Sequence, residues 1–162
     1  MKTFLKTFLK IGALGLSAMV LAAAIGGEPV PARLLGTWRV VRILPTHNVA
    51  CWDETRARQL VGSTLIYRPH SLHWRGGDFA IHDAYVRQLT AEEFLRDGGS
   101  GGYAATFAEL GIHAGVVTEV DLQHEDADIT GATTEVPGDT VLLAGPNRIV
   151  VSACNVFYEA TR

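Results

Sequence analysis

Few residues in this chain have types and spacings that suggest chemistry. Gly98-Gly99-Ser100-Gly101-Gly102 satisfies G-x-S-x-G, the nucleophile elbow that sets a serine on a sharp strand-to-helix turn of a large parallel sheet. Here the pentapeptide follows a helical segment, so it reads as a flexible loop. Asp126-x-Asp128-x-Thr130-Gly131 begins like a calcium loop, in which alternating oxygens surround a hard cation. The twelfth position requires a bidentate Glu and holds Pro137, so with His124 and Glu125 the segment reads as a solvated acidic turn. His70, His73, His82, His113 and His124 are spread along the chain with no local ligand spacing, and a metal site needs three or four of them to converge. No paired carboxylates and no Cys/His couple stand at a spacing that argues for acid-base or nucleophilic work. No cofactor and no metal are implied.

The two cysteines, Cys51 and Cys154, are most simply one disulfide, with two buried thiols as the alternative. The bond would close a loop of about 100 residues, worth about 4 kcal/mol in the chain-entropy picture. The aromatic residues are more informative. Trp52, Tyr67, Trp74, Phe79, Tyr85, Phe107 and Tyr158 fall at strand or helix ends, where they fill a core. If a barrel encloses a cavity, Trp74, Phe79, Tyr85 and Tyr67 are the candidates to line it.

The elements that must position these groups begin after an unusual start. The only lysines, Lys2, Lys6 and Lys10, precede an apolar run over residues 11–25 that contains Ala22-Ala23-Ala24. This is the layout of a secretory signal peptide, with cleavage expected after Ala24 and residues 25–33 as a lead-in. The apolar run is short for a membrane span. The whole chain has 162 residues and formal charge -3; without the leader, 138 residues remain, with eleven arginines against seventeen acids, a formal charge of about -6. One domain, residues 34–162, follows from that length, and the acidic balance argues against nucleic acid as a partner. The expected location is periplasmic or secreted, with no stable membrane anchor after cleavage.

Leu34 to Ile43 reads as the first strand, ended by Pro45, and Asp53 caps a short helix through Leu60. Thr64 to Tyr67, Ser71 to Trp74 and Phe79 to Leu89 read as strands, the last with a bulge near Asp83. Thr90-Ala91-Glu92-Glu93 is a capping box with a Leu89/Phe94 staple, which starts a helix that stops at Gly98. Thr106 and Glu109 repeat the box spacing. Val116 to Gln123 alternates as a half-buried strand with a polar face, and Thr140 to Leu143 and Arg148 to Tyr158 are the last two strands. Seven strands and two or three short helices predict a mainly β fold: a small closed or partly open antiparallel β-barrel, or a tight sandwich.

Gly36-Thr37-Trp38, opening the first strand, resembles the G-x-W signature of lipocalins and the wider calycin group. The resemblance implies that Gly36 permits close packing at the barrel floor, that Trp38 plugs that floor, and that an arginine near the chain end, Arg162 or Arg148, stacks on the indole. It also implies a barrel holding a small apolar or amphipathic ligand, with the glycine loop and the helix before it bordering the mouth. The expected function is an exported, non-enzymatic binding protein. A periplasmic protein-interaction or inhibitor module of META-like type, with a secreted protein as partner, is the alternative, and a metal-dependent enzyme is the third reading.

Overall fold

The structure is a computed structural model that describes residues 27–47, 54–97, 105–124, 136–154 and 156–162. Eight strands close an antiparallel barrel in simple sequence order: β1 (Gly36–Ile43), β2 (Thr64–Arg68), β3 (Ser71–Trp74), β4 (Gly77–Thr90), β5 (Val116–His124), β6 (Thr140–Gly145), β7 (Arg148–Ala153) and β8 (Val156–Thr161). Helix α1 (Glu54–Leu60) connects β1 to β2, and α2 (Ala91–Asp97) follows β4. Closure comes from β1 pairing with β8, Arg39 opposite Thr161 and Ile43 opposite Tyr158. It leaves no open sheet edge.

The eighth strand corrects the expectation of seven. Arg148 to Tyr158 is not one strand: at Cys154 the backbone takes φ +50°, the chain reverses, and Val156 pairs back onto Ala153. A two-residue hairpin favours left-handed backbone and asparagine, and the dipeptide Cys154-Asn155 carries that signal inside an otherwise apolar run. Leu34 and Leu35 are likewise not strand residues, because both amides turn back onto the Pro31 carbonyl before β1 begins. The bulge near Asp83 is present, with the β4–β5 register shifting between Ile81 and Asp83.

Strand alternation sorts the side chains into two packed regions. Trp38, Val40, Leu65, Tyr67, Leu72, Val120, Val141, Ile149, Val151, Tyr158 and Ala160 point inward and are buried. An eight-stranded barrel is just wide enough for such side chains to fill it. Both ends contribute to the same cluster. Val30 and Leu34 of the lead-in join it at the end where β1 starts; Ala57 and Leu60 of α1, with Val136, join it at the other.

The second region lies on the outer wall. Leu89, Val117, Leu142, Val150 and the partly buried Phe157 form a stripe across β4 to β8, covered by Phe94 of α2 and by Ala105, Phe107, Leu110 and Ile112. This overturns the expected polar face of β5. Val117 and Glu119 stand on that face and are buried, because the segment after α2 folds over them. Glu119 is held there by the Arg87 guanidinium, which also reaches Asp97 at 3.0 Å.

The local signals that build this cover are the two capping boxes. Thr90 Oγ1 accepts from the Glu93 amide at 3.2 Å while Glu93 accepts from the Thr90 amide at 2.9 Å. Thr106 and Glu109 repeat the pair at 3.2 and 2.8 Å, although residues 107–111 form turns rather than a helix. His47 bonds Glu109 at 2.7 Å, and these contacts together hold the Glu109 carboxyl down to about 2, His47 contributing most.

Candidate functional site

The end of the barrel built around the G-x-W tripeptide is closed by specific contacts. Trp38 is fully buried, its indole N–H donates to the Leu34 carbonyl at 2.7 Å, and the Arg162 guanidinium carbon lies 4.5 Å from its ring centroid. Arg162 also donates to the carbonyls of Leu35 (3.1 Å) and Pro146 (2.9 Å). Arg148 does not approach the indole; it holds the Leu110 and Gly111 carbonyls and the Glu159 carboxylate. Gly36 has φ +115°, and a Cβ there would meet only an Arg162 nitrogen at 3.9 Å. The glycine is therefore required by backbone conformation rather than by close packing.

Of the four aromatic residues proposed to line a cavity, Tyr67, Trp74 and Phe79 share the interior cluster and Tyr85 does not. Tyr67 is buried, its hydroxyl donates to the Gly138 carbonyl at 3.1 Å, and burial, aided by Asp139, drives its pKa far above the usual phenol value. A Cβ on Gly138 would fall 2.2 Å from that hydroxyl, so the contact admits only glycine. Trp74 and Phe79 pack against each other with centroids 6.5 Å apart and belong to the filled interior or its margin. Tyr85 stands outside, 60% exposed. Helix α2 packs on the outer wall through Phe94 against Phe107 and Phe157, the last of these beside Leu44 just past the end of β1.

Several sequence candidates, namely Cys51, Trp52, the glycine loop 98–102 and the acidic segment 126–131, lie outside the described residues. Cys154 is buried, and no described cysteine is a free thiol. His73 pairs with Asp78 at 3.0 Å and His124 with Asp139 at 2.9 Å, while His70, His82 and His113 are exposed. Among the described residues no three His, Cys, Asp or Glu side chains gather in a way that holds a metal ion, and no helix is long and apolar enough to cross a membrane.

The structure instead offers a groove that the sequence did not point to. It lies between α1 and the end of β1 and has a volume of about 820 Å³. Val41, Ile43, Leu44, Ala57, Val61 and Val156 supply an apolar lining, and Arg42, Thr46, Glu54 and Arg58 the polar groups. Val41 and Val61 are about 40% exposed, unusual for adjacent β-branched side chains facing one depression. Val41 faces out by the regular alternation after the buried Val40, and the register shift of β1 on β8 between Val40 and Arg42 leaves Arg42 exposed beside it, where strict alternation would turn it inward.

No family model matches this chain. Neither a curated protein nor a solved structure shows significant similarity to it. The groove's chemistry must therefore be argued from its own residues. Its volume falls in the range of pockets that take small organic molecules, and an apolar lining with a few charged groups is the usual composition of such sites. A second groove, of about 760 Å³, runs along the lead-in from Glu28 to Ala32 and past Tyr85 and Val86 of β4.

Proposed function

We propose that the protein is an exported, non-enzymatic binding protein that holds a small apolar or amphipathic molecule in the groove between α1 and β1, not in a barrel lumen. One observation carries this reading: an open 820 Å³ apolar depression on a barrel whose interior is occupied by its own side chains. The lysine-rich start, the apolar run and the alanine triplet support export with cleavage after Ala24. An oxidising compartment suits a Cys51–Cys154 bond. The G-x-W start and the arginine stacked on Trp38 support a lipocalin-like barrel.

Titration with a neutral apolar fluorophore tests the site. Emission should rise on binding to the wild type and not to Val61→Glu, an exposed position where the substitution leaves the core untouched. An equal rise with both proteins would overturn the assignment.

The exposed pair Tyr85 and Val86, 60% and 45% accessible beside Pro29 and Pro31, favours a second reading, a protein-interaction or inhibitor module. A photo-cross-linker at residue 85 would give one defined adduct in the protein's own compartment on that reading; a smear of adducts would count against it.

A further inference from the structure

The groove's polar rim suggests which amphipathic molecule it takes, an inference that rests on the binding reading above. Glu54 opens α1 and Arg58 follows it four residues on in the last turn, and the two form an ion pair at 2.5 Å. Both side chains are more than 70% exposed, so the pair is one that water and salt weaken readily and that contributes little to the fold. Across the groove, Arg42 donates to Glu159 at 2.8 Å. Glu159 also accepts from Arg148 at 3.1 Å; although partial burial works against ionisation, these two guanidiniums hold its carboxyl below the usual range. The charged side chains that line the groove are two guanidiniums, Arg42 and Arg58, and one carboxylate, Glu54; Glu159 pairs with Arg42 from outside the lining.

The guanidinium fork matches a carboxylate, and Glu54 already shows a carboxylate seated on Arg58. We propose that Glu54 is an internal stand-in for the ligand's head group. The groove takes a carboxylate-headed, single-chain amphiphile. Its head displaces Glu54 from Arg58 and meets Arg42 across the groove, while its tail lies on Val41, Leu44, Val61 and Val156. Glu54 then swings into water, the cost being only that of an exposed i,i+4 pair. Glu54 thereby sets the affinity, acting as a weak autoinhibitory contact.

Decanoate and 1-decanol have the same tail and differ in the charged head. Calorimetric titration of each into the full protein is expected to give about tenfold tighter binding of decanoate, the scale of one additional charge-assisted contact. Glu54→Gln should tighten decanoate several-fold further and leave decanol unchanged; Arg58→Gln should bring decanoate to the level of decanol. All these positions are exposed, and a circular dichroism melt of each variant confirms that the fold is retained. Equal affinities of the two probes in wild type and Glu54→Gln would overturn the carboxylate clamp while leaving an apolar groove intact. Binding of neither probe would overturn the groove itself, and the clamp with it.

Discussion

Arg162 offers the sharpest test of how the barrel floor is held. Its guanidinium lies 4.5 Å from the Trp38 centroid and donates to the Leu35 and Pro146 carbonyls, so it joins the lead-in, the β6–β7 turn and the buried indole. A cation over an indole is worth about 1 kcal/mol when the cation stays partly wet, as here. Two solvent-accessible hydrogen bonds add about 0.5 kcal/mol each. Arg162→Ala should therefore destabilise the protein by about 2 kcal/mol, lowering the melting temperature by roughly 5–8 °C for a domain of this size. Arg162→Met, which keeps the alkyl stem on the ring, should cost slightly less. The decisive measurement is a double-mutant cycle with Trp38→Leu, read from urea midpoints. The expected coupling is about 1 kcal/mol; a coupling below about 0.3 kcal/mol is within ordinary additivity and would mean that the stacked geometry contributes nothing.

Four further outcomes follow from the packing and the charges. Leu60→Ala removes a fully buried side chain of α1 from the interior and should cost about 3 kcal/mol in a urea melt, whereas Val61→Ser next to it should cost almost nothing. Glu119→Gln leaves Arg87 under the outer cover with only Asp97; because Arg87 is partly exposed the loss should be about 2 kcal/mol, and Arg87→Met with Glu119→Leu should recover most of it. Glu109 has its folded pKa depressed to about 2, so its contribution is present above about pH 4.5 and lost as pH falls towards 2; urea midpoints should drop across that window, and less steeply in Glu109→Gln. Reduction of a Cys51–Cys154 bond should lower stability by about 4 kcal/mol, while unchanged midpoints with dithiothreitol would exclude the bond.

The barrel was legible where residues obey a period or a local box. Alternation over residues 64–67, 71–74 and 140–143 gave strands within a residue or two of their ends, and both Thr/Glu boxes form the reciprocal bonds their spacing requires. The misreadings share a cause: contacts distant in sequence decided the outcome. Nothing local in Val117 and Glu119 shows that residues 105–112 will cover them. Nothing in Trp74, Phe79 and Tyr67 distinguishes a filled interior from a lined cavity, because inward alternation is the same in both. The groove was invisible for a related reason. Val41 and Val61 lie on either side of the β1–α1 connection, and nothing local in either shows that they border the same depression.

Closure by the first and last strands has a consequence for how the chain reaches this state. The bond from Arg162 to the Leu35 carbonyl spans 127 positions, and that between Arg42 and Glu159 spans 117. Loops of that length must close before these contacts stabilise anything, so folding is slow and late compared with the making of the local hairpins. Until β8 emerges from synthesis β1 has no partner on one side, and Trp38 lacks the arginine that covers it. The hairpins from β2 to β7 can pair locally, but the sheet cannot close until β8 has been made, so the finished barrel appears in one late step rather than strand by strand.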